Sequence, residues 1–136
     1  MTMERFTLEH TLTPGTVLVE ASAGTGKTYS IASLYLRMVY ELDLKTPEIL
    51  VVTFTNAATA ELKTRIRSRL QQAVKLSQAR LHDLGADPDT NIPPRRSKRS
   101  LVEQALQRLQ SALESFAQAS IFTIHGFCKR LLERFP

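Results

Sequence analysis

The sequence has few cysteines, no long apolar run and no secretory signal pattern, and each of these absences excludes a class of protein. It holds a single cysteine in 136 residues, which excludes an internal disulfide and a metal cage built from cysteines. Its longest apolar run, 49–52, is far short of the roughly 18 residues that a membrane helix needs. The opening Met-Thr-Met-Glu-Arg lacks the basic-then-apolar order of a secretory signal. We therefore expect a cytoplasmic chain.

The composition is otherwise that of an ordinary globular domain, with 43% hydrophobic and 23% charged residues. The net charge of +5 is concentrated in one segment. Residues 61–99 hold ten lysines and arginines against four acidic residues, a net of +6. Such an excess is consistent with a polyanionic partner, although charge alone favours a solvated helix face.

Short β-branched and apolar runs alternate with segments of helical periodicity. Strands are predicted at 17–20, 49–54 and 120–124, and helices are predicted to begin at Lys27, near Asn56 as N-cap, at Leu101 and at His125. The run 49–54 is apolar on both pleat faces, which predicts a strand buried on both sides. This order predicts an α/β fold with a mostly parallel sheet. Three strands are few for such a sheet, so we expect a partial domain.

The strongest chemical signal lies between the first predicted strand and the first predicted helix. The segment 21–28 fits the phosphate-binding pattern G-x-x-x-x-G-K-[ST], except that alanine replaces the first glycine. Backbone N–H groups of such a loop and the following helix N-terminus favour a phosphate. Lys27 would reach the terminal phosphates and the Thr28 hydroxyl would bind Mg²⁺. The predicted ATP-phosphate residues are Ala21, Ser22, Ala23, Gly24, Thr25, Gly26, Lys27 and Thr28.

Polar and aromatic side chains follow the other two predicted strands. Hydroxyl and amide groups at strand ends can bind phosphates, and aromatic rings can stack on bases, both without reading sequence. The alternative is that these residues only cap helices and fill the core. The candidate nucleic-acid ligands are Phe54, Thr55, Asn56, Thr123, His125 and Phe127.

Taken together, three segments resemble motifs I, Ia and Ib of the UvrD/Rep-type superfamily 1 DNA helicases. They are 18–28, 52–62 and 121–128, and they occur in the family's order. Glu-Ala-Ser-Ala-Gly-Thr-Gly-Lys-Thr and Ile-Phe-Thr-Ile-His-Gly-Phe-Cys are most similar to the RecB-like beta subunits of exodeoxyribonuclease V. Alanine at position 21 is ordinary in that group.

The resemblance implies a RecA-like P-loop fold, with residues 1–136 forming the first part of motor domain 1A. It also implies ATP and Mg²⁺ as cofactors, with Lys27 and Thr28 as catalytic residues. Single- and double-stranded DNA would be the substrate, and RecC- and RecD-like subunits the partners, of a repair and recombination helicase and exonuclease. The strand-end residues named above would line the DNA path, and a basic loop at 85–100 would add nonspecific affinity.

The sequence departs from a complete motor in defined ways. It has no Asp-Glu-rich Walker B strand, and no glutamine occurs before Gln71 to serve as an adenine-reading Gln motif. We therefore expect weak ATP binding and essentially no hydrolysis from this chain alone. Two alternatives stay open at this point: another P-loop protein such as a small kinase, and a noncatalytic DNA-binding module with a vestigial loop.

Overall fold

The computed structural model describes residues 7, 10–20, 26–84 and 98–135. Four helices and two strands follow in order: α1 Lys27–Tyr40, β1 Leu50–Thr53, α2 Asn56–Leu84, α3 Lys98–Glu114, β2 Ser120–Thr123 and α4 Ile124–Arg134. Short 3-10 helices, Thr46–Glu48 and Phe116–Gln118, lead into the two strands. The predicted α/β class and the four helices are confirmed. In the part of the chain that the structure describes, no helix is long and apolar enough to cross a membrane.

The two strands form a parallel pair in simple register. Leu50 lies opposite Ser120, and Thr53 lies opposite Thr123. Because both strands end at the same level, the residues that follow them, Phe54 and Ile124, leave the sheet at one edge. At the opposite edge, the hydroxyl of the fully buried Thr46 forms a hydrogen bond of 3.0 Å with the Ser115 hydroxyl. This bond joins the segments that precede the two strands.

One hydrophobic core joins the helices to the covered face of the sheet. Helix α1 packs against both α2 and α3. The Arg99 guanidinium near the start of α3 donates to the Leu81 carbonyl near the end of α2, so these two helices are antiparallel. The buried apolar residues are Ala32, Tyr35, Leu36, Val39, Ile49, Leu62, Ile66, Leu70, Val74, Leu109, Ala112, Phe116 and Ile121. Helix α2 supplies four of them at three- and four-residue spacing, Leu62, Ile66, Leu70 and Val74.

The strand predicted at 17–20 is wrong for this structure. Residues 16–20 are irregular, and the side chains of Val17 and Leu18 are 72% and 83% exposed. A strand needs a neighbour that accepts and donates ladder hydrogen bonds. Within the described residues, β1 and β2 pair only with each other, so this apolar run has no ladder partner.

The expectation that the run 49–54 is buried on both faces is also wrong. Leu50 and Val52, on one pleat face, are 48% and 40% exposed. The other face of the sheet packs against the helices through Val51 and the fully buried Ile121. A strand that is apolar on both faces requires covering elements on both, and the described residues cover one.

The predicted basic loop 85–100 is placed only in part. Residues 85–97 lie outside the described residues, and Lys98, Arg99 and Ser100 already belong to helix α3. The loop boundary was therefore wrong at its C-terminal end. The first turn of α3 is instead held by an ion pair between Arg99 Nε and Glu103 Oε1 at 3.0 Å.

Tyr35 has a buried hydroxyl that no group in the described residues satisfies. Burial raises the pKa of this phenol to about 12. A folded-state pKa above the unfolded value contributes stability that is present below pH 10 and is lost as the pH rises toward 12. We expect Tyr35→Phe to be neutral or stabilising by up to about 1 kcal/mol at pH 7, because it removes an unpaired buried polar group.

Urea unfolding of both proteins at pH 7 and at several values between pH 10 and 12 measures this. The wild-type protein should lose more stability across the alkaline interval than Tyr35→Phe does. A loss of more than about 1 kcal/mol at pH 7 in the variant would show that the hydroxyl has a partner.

Candidate nucleotide and nucleic-acid site at the sheet edge

Helix α1 begins directly at the end of the predicted phosphate loop. Gly26 is its N-cap, with φ 84° and ψ 26°, in the left-handed region that glycine adopts without strain. The Gly26 carbonyl accepts the Ser30 N–H at 2.9 Å, which starts the helical ladder. Among the described residues no side chain caps this end, so none of them competes with an anion for the first-turn N–H groups of Lys27 and Thr28.

Three members of the predicted phosphate set are therefore placed, and five are not. Residues 21–25 lie outside the described residues. Lys27 is exposed and Thr28 is partly buried, both in the first turn of α1. The glycine conformation and the helix start at Lys27 agree with what the sequence pattern requires there.

Helix α2 begins with a threonine cap. The Ala58 N–H donates to Thr55 Oγ1 at 3.0 Å, and the Thr59 N–H donates to the Thr55 carbonyl at 3.1 Å. The prediction that Asn56 is the N-cap is thus wrong by one position, because Thr55 fills that role. Asn56 is the first helical residue, and its exposed amide has no hydrogen bond within the described part of the chain, so it can bind a ligand.

Two further threonines, which the sequence reasoning missed, brace this start. The hydroxyls of Thr53 and Thr59 form a hydrogen bond of 2.6 Å with each other, and both oxygens lie 3.2 Å from the Thr55 carbonyl, which accepts from the hydroxyl that does not donate to its neighbour. They fix the turn between strand and helix. The signal in the sequence was the run of threonines at 53, 55 and 59, since threonine hydroxyls bond readily to nearby backbone.

Helix α4 begins in the same way after the neighbouring strand. The Gly126 N–H donates to Thr123 Oγ1 at 3.0 Å. A Cβ at Gly126 would lie 3.1 Å from that oxygen, so glycine suits the close approach. Thr123 is the register partner of Thr53, and two helix N-termini therefore open at one sheet edge. The hydroxyl of Thr123 accepts the capping bond and keeps its own hydrogen for a further acceptor.

The three predicted aromatic and imidazole ligands differ in exposure. Phe54 is 89% exposed, and His125 is exposed on the first turn of α4. Phe127 is partly buried, and its ring stacks on Phe122 with a centroid distance of 6.4 Å. Phe122 also carries the Arg130 guanidinium at 4.9 Å. Of the three, Phe54 and His125 are open to a ligand in this structure.

Arg69 of α2 joins that helix to the start of α1. Its guanidinium lies 4.7 Å from the Tyr29 ring centroid, one residue beyond Thr28. It also donates to the Ser33 hydroxyl at 3.1 Å. This half-buried arginine therefore fixes the first turns of α1 against α2.

We expect the Thr123 cap to contribute about 1 kcal/mol to stability. Thr123→Ala should lower the free energy of unfolding by that amount, while Thr123→Ser, which keeps the capping oxygen, should change it little. Urea titration followed by circular dichroism measures both. As a control, Thr64→Ala removes an exposed threonine of α2 that caps nothing and should stay within about 0.5 kcal/mol. Equal losses at both positions would contradict the capping role.

Comparison with known proteins gives the family. The chain matches the UvrD/REP helicase N-terminal domain over residues 4–136. It is 47% identical to the RecBCD enzyme subunit RecB of Chlamydia trachomatis over 126 residues, covering 90% of this chain and 12% of the relative. It is 44% identical to the RecBCD enzyme subunit RecB of Escherichia coli over 131 residues, covering 87% and 10%.

The chain thus spans about a tenth of the length of these relatives. The family match covers nearly all of the chain, and it includes the three segments from which the resemblance was drawn. That resemblance is confirmed: the chain belongs to the UvrD/REP helicase N-terminal domain family.

Proposed function

We propose that this chain is the ATP-binding N-terminal part of the first motor domain of a RecB-like DNA helicase subunit. The observation that carries the proposal is the start of α1. There, a left-handed glycine is followed by Lys27 and Thr28 in a first turn that no described side chain caps. A helix begun in this way presents free N–H groups, a positive dipole end and a lysine to a polyphosphate. Family membership supports a P-loop, RecA-like architecture for the complete motor domain, of which the two-stranded sheet described here would be one part.

In this proposal the segment 21–28 holds the phosphates of ATP. Lys27 places its ammonium beside the terminal phosphates, where negative charge develops during transfer. The Thr28 hydroxyl would hold Mg²⁺, which would supply positive charge to offset that of the phosphates. Mg²⁺ in nucleotide sites commonly keeps several waters and uses few protein ligands.

The same proposal assigns the sheet edge to single-stranded DNA. Phe54 would stack on a base, while Asn56, Thr55 and Thr123 would bond to phosphates near two helix N-termini. His125 lies on the same edge and would contact the backbone or a base. Phe127 would act indirectly, because its ring packs on Phe122 and so helps to position α4. None of these contacts selects a base, which suits a motor that moves along any sequence.

The whole-protein activities belong to the proposal as well. A RecB-like subunit would work in the cytoplasm with RecC- and RecD-like subunits as an ATP-dependent helicase and exonuclease in DNA repair and recombination. This chain alone lacks the Walker B carboxylates in its sequence. It should therefore bind ATP·Mg²⁺ weakly without turning it over.

Binding and turnover assays on the purified 136-residue chain test the proposal. We expect fluorescent ATP to bind only with Mg²⁺ present, no steady-state phosphate release, and single-stranded DNA affinity that falls steeply between low and high salt. Transfer of phosphate to a small acceptor would instead indicate a kinase. DNA binding with no ATP binding would indicate a vestigial loop. Steady-state hydrolysis would refute the inactivity of the isolated chain.

A further inference from the structure

The first turn of α1 carries Lys27 and Thr28, yet it lies outside the hydrophobic core. The buried residues of α1 begin at Ala32 and end at Val39. Residues 27–31 are exposed or only partly buried. A site for a polyphosphate works well only when its binding groups keep one geometry. Contacts outside the core therefore matter for the position of this turn.

Arg69 of α2 supplies contacts of this kind. Its guanidinium lies 4.7 Å from the centroid of the Tyr29 ring, within the range of a cation–π interaction. One terminal nitrogen donates to the Ser33 hydroxyl at 3.1 Å, and the other donates to the Gln72 side chain of its own helix at 3.4 Å. The guanidinium thus links two successive turns of α1 to α2.

The two contacted residues of α1 share one face of that helix. Tyr29 and Ser33 are four residues apart, so their side chains lie one above the other. Contacts to both of them constrain the tilt and the rotation of α1 near its N-terminal end. The planar fork of Arg69 makes both contacts at once, whereas the ammonium of a lysine is a point charge on a flexible stem and does not reproduce this geometry.

The geometry of the helix indicates that Arg69 acts through the backbone of α1. Successive residues of an α-helix are turned by about 100° and advance by about 1.5 Å. Tyr29 is two residues beyond Lys27, so the two side chains leave α1 on roughly opposite sides. Arg69 therefore contacts α1 on the side away from Lys27, and its effect on bound phosphates comes from the position of the turn.

We propose that Arg69 is a positioning residue of the ATP site. It holds the first turn of α1 so that Lys27 and Thr28 meet the terminal phosphates and Mg²⁺. This inference rests on the proposed function, because it concerns the same site. It extends that site to a residue of α2 that lies outside the phosphate loop and touches neither phosphate nor metal.

Titration of the 136-residue chain with fluorescent ATP and Mg²⁺ tests this role. Arg69→Ala should weaken ATP binding about tenfold, since a misplacement of about 1 Å in an oriented site can cost about 100-fold. Arg69→Gln and Arg69→Lys should weaken it by a similar factor, because both lose the contacts of the fork and only lysine keeps the charge. Arg67→Ala removes an exposed arginine of the same helix and should bind ATP as the wild-type chain does.

A double-mutant cycle with Tyr29 separates positioning from a general loss of stability. Tyr29→Phe keeps the ring and should keep the ATP affinity, whereas Tyr29→Leu should lower it. Adding Tyr29→Leu to Arg69→Ala should weaken binding no further, since the first change has then lost its partner. Val74→Ala shortens a buried side chain of α2, so it should lower the free energy of unfolding and leave the ATP affinity unchanged.

Three results would overturn the proposal. The first is equal ATP affinity in Arg69→Ala and Arg67→Ala, which would refute the role of Arg69 and leave the phosphate loop as the site. The second is full affinity in Arg69→Lys but not in Arg69→Gln, which would show an effect of charge. The third is a matching loss of affinity in Val74→Ala, which would show an effect of stability. A wild-type chain that binds no ATP would refute the proposed function and this inference together.

Discussion

Replacing Lys27 by alanine is expected to abolish Mg²⁺-dependent ATP binding by this chain. In the full-length protein it should also lower kcat for ATP hydrolysis by about 10²- to 10³-fold, the usual cost of removing one placed transition-state donor. The reason is local: Lys27 is in the first turn of α1, beside N–H groups that no side chain of the described ranges caps. Titration with fluorescent ATP checks the first effect, and phosphate release by the full-length enzyme checks the second.

The matched control is Lys75→Ala. Lys75 is an exposed lysine on α2, so this variant removes the same charge and leaves the start of α1 intact. Its ATP affinity should equal that of the wild-type protein. If Lys27→Ala binds ATP as well as Lys75→Ala does, the segment 21–28 is not the nucleotide site, and the proposed function fails with it.

The helices of this fold were predictable because their signals are local. The spacing of Leu62, Ile66 and Leu70 sets the buried face of α2 whatever the rest of the chain does, and all three are buried. The strand at 17–20 was not predictable in this way. Its β-branched residues indicate only a preference for extended backbone. A strand also requires a neighbouring strand to pair with, and sequence periodicity does not show whether one is present.

The sequence indicated which residues lie at the candidate site, but it did not fully indicate what each of them does there. Threonine and asparagine are both good N-cap residues, so the sequence did not decide between Thr55 and Asn56. Thr55 is the cap because β1 ends at Thr53 and the hydroxyls of Thr53 and Thr59 hold the turn that follows. Arg69 has a role that its position in the sequence did not indicate. A lone arginine on a cationic helix face looks solvated, and only the approach of α1 reveals its contact with Tyr29.

Removing the Phe54 ring is expected to produce the largest loss of single-stranded DNA affinity among the strand-end substitutions. The ring is 89% exposed beside two helix N-termini, so it contributes little to the core. Base stacking on such a ring is worth about 1–3 kcal/mol. Phe54→Ala should therefore weaken binding of an oligothymidine by about 5- to 150-fold while leaving the free energy of unfolding nearly unchanged.

Phe135→Ala separates stacking at this edge from general loss of an exposed aromatic ring. Phe135 is also largely exposed, but it follows the C-terminal end of α4, away from the strand ends. Its removal should leave the affinity for oligothymidine close to the wild-type value. If both variants bind DNA equally well, Phe54 covers another part of the full-length protein, and the DNA path must lie along the polar groups of Asn56 and Thr123 instead.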